Sequence, residues 1–291
     1  MSREDVEFPT LDGLILRGWL YPAAKPAPAI IMTQGFNTVK EMLLPDVAVW
    51  FQRHGLTVLL YDNRTIGASD GNPRNEIDCR KLVEDYHDAF SYLSTHPLVD
   101  PDRITYFGNS FSAMVALVAA ALDKRAAAVI SIAPITNYSF DPTKLSAILA
   151  LAMQDRASRL AGNEALHIPF LDETGENPVG WGEKNSLDVF KKFLDTEIFT
   201  NRTTVQSYYH MLTWQPYGVM GLVSPTPVMV VTPGEDSLSL PEKQRELFGM
   251  FDEPKRFLLV PGKEHIQTLT GESTEEVLGE QLRFLREVLG F

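Results

Sequence analysis

The chain has 291 residues, a formal net charge of −12, 44% hydrophobic and 22% charged residues, and one cysteine. That length and apolar content fit one large globular α/β domain, or one domain carrying an insertion, and argue against a disordered tract. An acidic balance without a Lys/Arg-rich run argues against nucleic-acid and membrane-surface binding, and the lone Cys79 excludes an internal disulfide framework or a cysteine metal cluster. In chain order, residues 6–10 and 14–21 read as strands flanking Asp12-Gly13, a dipeptide favoured in tight hairpin turns. Residues 29–33 and 56–61 are strands with no polar face, the kind found in a sheet covered on both sides by helices. Helices are predicted over 44–54 and over 79–95, where Leu82, Tyr86, Ala89, Phe90 and Leu93 form a stripe. A strand at 103–107, an apolar helix at 111–122 and a strand at 127–133 follow.

The alternation then lapses. Residues 136–226 read as several helices with polar, Pro- and Gly-containing joints such as 174–182, and a structureless loop of that length is improbable. They are therefore predicted to form a helical cap on a core made of residues 1–135 and 227–291. Alternation resumes with a strand at 227–232, a helix at 240–250 and a strand at 256–260. Ser273-Thr274-Glu275-Glu276 is a capping box opening a final amphipathic helix through Leu278, Leu282, Leu285 and Leu289. The first residues run straight into strand-like sequence, and no apolar run reaches the ~18 residues of a membrane span. A cytoplasmic protein is expected.

Chemistry concentrates at strand ends. Gly108-Asn109-Ser110-Phe111-Ser112 joins a buried strand to an apolar helix, with small residues two places either side of the serine, which describes a nucleophile elbow. The pentapeptide alone is weak, because Ser110 as an ordinary helix N-cap competes with it. Partners at other strand ends strengthen it. Asp236 follows the strand 227–232, with Glu235 as a competing carboxylate, and His265 follows the strand 256–260. The order Ser110, Asp236, His265 is that of the α/β-hydrolase triad, in which serine needs a base and the base an orienting acid. The other five histidines are assigned to helices or polar loops. Oxyanion donors are expected from the backbone N–H groups of Phe111, directly after the nucleophile, and Phe36, in the Gln34-Gly35-Phe36 turn. Asp62 and Arg64 are expected to pin the 62–71 loop. Among the cap aromatics, Trp181, Tyr209 and Trp214 are the substrate-binding candidates. No H-E-x-x-H and no early G-x-G-x-x-G occurs, so no metal and no cofactor is expected.

From end to end the chain resembles α/β hydrolases of the fungal polyketide transferase and thiohydrolase family, relatives of X-Pro dipeptidyl-peptidase-like hydrolases. The likeness rests on residues 35–42, 67–75 and the elbow, and on the cap segments 152–156, 201–209, 214–216 and 224–229. It implies an α/β-hydrolase fold: a mostly parallel sheet, helices on both faces and a helical cap. It also implies acyl transfer from a polyketide thioester, free or carrier-borne, to water or an alcohol, with Ser110, Asp236 and His265 as the triad. Two positions depart from the pattern: Gln34, where histidine is common, and Glu264, where glycine is expected. A general carboxylesterase, and a non-hydrolytic binding or cyclisation helper on the same scaffold, are the alternatives; a homodimer is compatible with all three.

Overall fold

Residues 29–33, expected to be buried on both faces, run through the middle of an eight-stranded sheet in the computed structural model. The structure describes residues 2–136, 142–171, 193, 196–271 and 274–291. Strands β1 (Glu4–Pro9), β2 (Ile15–Tyr21), β3 (Ala27–Thr33), β4 (Thr57–Tyr61), β5 (Val99–Asn109) and β6 (Ala128–Ile132) come first along the chain. The short β7 (His167–Ile168) and β8 (Thr203–Thr204) pair with each other, and β9 (Val228–Pro233) and β10 (Lys255–Val260) return to the main sheet. Its order is β1-β2-β4-β3-β5-β6-β9-β10. The β1–β2 and β2–β4 pairs are antiparallel and the others parallel.

Strand periodicity sorts the core. Alternate side chains point to opposite faces, so Ala29 and Ile31 pack with α2 (Cys79–Leu93) and α3 (Phe111–Leu122). Ile30 and Met32 pack on the other face with α1 (Leu44–Arg53) and the C-terminal helix Thr274–Leu289. Each of these fully buried Ile and Met side chains contributes about 1.5–3 kcal/mol. Because both faces are covered, the carboxyl ends of the parallel strands are where loops can converge on a substrate. One expectation shifts: Pro9 pairs with Ile15, so residues 10–14 bridge β1 and β2 instead of a two-residue Asp12-Gly13 turn. Asp12 is held by Thr10 Oγ1 at 2.7 Å and by both Nη atoms of Arg64, which widens the connection.

Within 136–226 the described residues hold α4 (Pro142–Leu160), α5 (Val205–Thr213) and a 3-10 turn at Pro216–Leu222. Gln206 Nε2 fastens α5 to α4 through the Ala152 carbonyl at 2.6 Å and Asp155 Oδ2 at 2.9 Å. The 3-10 turn packs on α3, and Tyr217 donates to the Thr136 carbonyl at 2.7 Å. Ser207 Oγ accepts from the Ile77 N–H at 2.9 Å, joining α5 to the loop before α2. The predicted joint 174–182 with Trp181, and Ser273 of the predicted capping box, lie outside the described residues. After α5, the remaining helices are α6 (Pro241–Phe248) and α7 (Thr274–Leu289), with Glu275 and Glu276 in the first turn of α7. Among the described residues no helix is long and apolar enough to cross a membrane.

Candidate active site

Ser110 stands between β5 and α3 with φ 57° and ψ −121°, a conformation non-glycine residues seldom adopt. The surroundings hold it there. Its N–H donates to the Ile132 carbonyl at 2.8 Å, and its own carbonyl accepts from Ala113 N at 3.1 Å and Ile135 N at 3.4 Å. Gly108 is required by contact: a Cβ there would lie 2.1 Å from the Ser112 carbonyl oxygen. A serine at this position could cap α3, but its side chain makes no capping bond. Instead Ser110 Oγ lies 2.8 Å from His265 Nε2. The hydroxyl is thus directed at the imidazole and not at the N-terminus of α3.

His265 and Asp236 reach each other because their loops are braced. Gly234 N donates to the Val260 carbonyl and Glu235 N to the Lys263 carbonyl, each at 2.8 Å. A Cβ on Gly234 would meet Pro261 Cα at 3.1 Å. Asp236 Oδ2 then lies 2.8 Å from His265 Nδ1 and accepts from Gln244 Nε2 at 2.9 Å. Its Oδ1 accepts from Leu238 N at 3.0 Å and Ser239 N at 2.8 Å. A carboxylate that already accepts from three N–H groups has no proton to offer, so Nδ1 is assigned the imidazole proton and Nε2 is left to accept from Ser110. Glu235 is exposed, so of the two adjacent carboxylates it is Asp236 that meets the histidine. The three side chains are enclosed, with relative exposures of 6% for Ser110 and 2% each for Asp236 and His265.

The turn after β3 approaches the elbow closely. A Cβ on Gly35 would lie 3.2 Å from Ser110 Cβ and 3.6 Å from Oγ. Phe36 and Phe111, the next residue in each turn, meet edge to face at 5.3 Å between ring centroids. The Phe111 N–H lies in the first turn of α3, where no intrahelical acceptor exists. Ser112, expected only to be small, donates to the Gln34 carbonyl and so ties the two turns together. Further out, Lys40 Nζ bonds Asp62 Oδ2 and Glu41 Oε1, each at 2.7 Å, and Asp62 also accepts from Lys40 N and Ala68 N. Burial pushes the Asp62 carboxyl up against the pull of Lys40. Arg64 bonds both Asp85 and Asp12, so Asp62 and Arg64 each fasten this loop to a different neighbour.

Aromatic rings from the 136–226 segment cover these turns. Phe170 lies 5.4 Å and Tyr208 6.2 Å from Phe36, while Trp214 lies 6.0 Å from Phe111. Of the substrate-binding candidates, Trp214 thus packs against Phe111, and Trp181 is outside the described residues. Tyr209 is half-buried beside His210, one helical position round from Tyr208. Periodicity could have separated the two tyrosines: Val205 and Tyr208 share the buried face of α5. Gln244 and Ser112 carried no comparable signal. Gln244 is a polar residue in a short helix, and its burial became visible only with α6 laid against the Asp236 loop. Cys79 is buried at the start of α2, where desolvation pushes the thiol up. Among the described residues no group of three or more His, Cys, Asp or Glu could hold a metal ion.

A strand-to-helix serine, a histidine and an aspartate beyond later strands, and a mostly parallel sheet beneath them define an α/β hydrolase. A family model described as serine aminopeptidase, S33, matches residues 24–272. The chain is 60% identical to the polyketide transferase af380 of Aspergillus fumigatus, over 100% of both proteins. It is 46% identical to a thiohydrolase of Eupenicillium brefeldianum, covering 98% of this chain and 94% of that protein. The crystal structure of the α/β hydrolase GrgF from Penicillium sp. superposes with a TM-score of 0.94 at 44% identity, covering 100% of each chain. The chain belongs to the α/β-hydrolase family that contains these polyketide transferases and thiohydrolases.

Proposed function

We propose that this hydrolase is a serine-dependent acyltransferase or thioesterase that takes a polyketide acyl group from a thioester through an acyl-Ser110 intermediate. The observation that carries the reading is the chain Ser110 Oγ, His265 Nε2, His265 Nδ1, Asp236 Oδ2, with both hydrogen bonds at 2.8 Å. Nε2 takes the serine proton as Oγ attacks the acyl carbonyl carbon, and the resulting imidazolium is stabilised by Asp236. The oxyanion is held by the N–H groups of Phe36 and Phe111. Collapse breaks the carbon–sulfur bond, and the imidazolium returns its proton to the departing thiolate. Water or an acceptor alcohol then gives its proton to Nε2 and attacks the ester, and Ser110 leaves with that proton. The names of the relatives, transferase and thiohydrolase, support both fates of the acyl group.

The test uses a polyketide-like acyl thioester and intact-protein mass measurement. The wild-type chain should gain one acyl group and lose it with time by hydrolysis, or faster on adding an acceptor alcohol, and it should be labelled by a fluorophosphonate. Ser110→Ala should do neither while keeping its fold. An acyl adduct or unchanged turnover in that variant would remove Ser110 from the mechanism. A general carboxylesterase would turn over simple esters of matched chain length as well as the thioester.

A further inference from the structure

The acid of the triad is gripped by a side chain that the acyl-transfer steps do not use. Gln244 lies fully buried in α6. Its Nε2 carries two protons and faces two acceptors, the Ser239 carbonyl at 2.6 Å and Asp236 Oδ2 at 2.9 Å. With two acceptors on that side, the amide nitrogen and not its oxygen has to point there. Oε1 has no hydrogen-bond partner among the described residues. An unpaired buried carbonyl disfavours folding, so stability alone would place an apolar side chain at this position.

The donors close a ring around the carboxylate. Ser239 N donates to Oδ1, the Ser239 carbonyl accepts one N–H of Gln244, and the other N–H of that amide reaches Oδ2. Ser239 is itself anchored, since its Oγ donates to the Pro134 carbonyl at 2.6 Å and lies 2.9 Å from Thr136 Oγ1. The two oxygens of Asp236 are held differently. Backbone N–H groups fix Oδ1, whereas among the described residues Oδ2 is bonded by Gln244 Nε2 and His265 Nδ1. Without the amide, the oxygen that meets the histidine would be free to swing about the Oδ1 bonds. We propose that Gln244 is a positioning residue of the triad, which holds Asp236 Oδ2 in line with His265 Nδ1 and so fixes the imidazole that takes the Ser110 proton. The inference rests on the serine reading of the site. Glu242, Lys243, Arg245 and Glu246 of α6 are exposed, so Asp236, with His265 beyond it, is the titratable group that Gln244 meets.

Fluorophosphonate labelling of the full-length protein tests it, because labelling needs the serine and its base but no polyketide. Gln244→Leu nearly keeps the size and removes the donor. Its labelling rate at saturating probe should fall about tenfold, the worth of one hydrogen bond to a charged group, with the half-saturating probe concentration unchanged. Gln244→Glu separates positioning from packing. Its carboxyl should share one proton with Asp236, because two like charges at that distance cannot both ionise. While the proton is shared, labelling should exceed that of Gln244→Leu; as pH rises and the proton leaves, repulsion displaces Asp236 and labelling should fall below it. Wild type and Gln244→Leu should lack that alkaline loss, and circular dichroism over the same pH range distinguishes it from unfolding. Should Gln244→Glu unfold, the split between rate and half-saturation in Gln244→Leu decides. A Gln244→Leu rate within about twofold of wild type, or equal losses in both folded variants at every pH, overturns the proposal. A wild-type chain that takes no label overturns the serine reading itself, and the role of Gln244 with it.

Discussion

Asp236→Asn probes the triad with the least disturbance of shape, and the structure says which way the new amide must turn. Oδ1 accepts from two backbone N–H groups, of Leu238 and Ser239, so the carbonyl end of an asparagine has to stay there. Its NH₂ then replaces Oδ2 and points at His265 Nδ1. Nδ1 must become the acceptor, which moves the imidazole proton to Nε2 and aims an N–H at Ser110 Oγ. The base can no longer take the serine proton. Such a tautomer reversal lowers kcat by about 10⁴-fold, equivalent to about 5.4 kcal/mol of transition-state stabilisation. Stability should change far less. Gln244 Nε2 loses one acceptor but keeps the Ser239 carbonyl at 2.6 Å, a loss of about 1 kcal/mol. Pre-steady-state turnover of an acyl thioester, with thermal unfolding as the control, measures both. A folded variant with kcat within about tenfold of wild type would refute the assignment of the proton to Nδ1.

Other perturbations test the parts around the triad. Gly108→Ala places a Cβ 2.1 Å from backbone that cannot yield, so it should remove more than about 3 kcal/mol or prevent folding; a wild-type melting temperature would contradict the elbow packing. Gly35→Ala should spare stability to within about 1.5 kcal/mol. Its methyl would lie 3.6 Å from Ser110 Oγ and should cut kcat/KM about tenfold by crowding the attacked carbonyl; unchanged kinetics would show that the substrate approaches from elsewhere. Ser112→Ala removes a donor from the buried Gln34 carbonyl and should lower stability by about 1–2 kcal/mol, read from urea unfolding; wild-type stability would show that the tether is idle. The Arg64 guanidinium holds the Asp12 carboxyl below the usual carboxylate range. A lowered folded pKa contributes stability that is whole above about pH 4 and is lost as pH falls through the folded value. Asp12→Asn should therefore lose less stability than wild type on acidification below pH ~4, by under about 1 kcal/mol because the carboxylate is 37% exposed. Parallel acid-unfolding curves for the two proteins would refute it.

Local pattern was enough for the strands and helices of the main sheet and for naming the candidate triad, while the β7–β8 pair left no such trace. Runs with no polar face mark the doubly covered strands, since a strand buried on both sides leaves room for few polar residues beyond small hydroxyls such as Thr33 and Ser131. A serine with glycine two residues before it at a strand-to-helix junction, and an acid and a histidine beyond later strands, were legible because each is set by its immediate neighbours. The tertiary structure decided whatever depended on which distant groups meet. It set Asp236, not the adjacent Glu235, against His265 and exposed the glutamate. It turned Tyr208 toward Phe36 and left Tyr209 beside His210. It gave Gln244 and Ser112 their partners. The physical reason is common to all of them. Backbone preference and hydrophobic period act over a few residues, whereas a hydrogen-bond partner or a desolvated charge is chosen by packing between segments far apart in the chain.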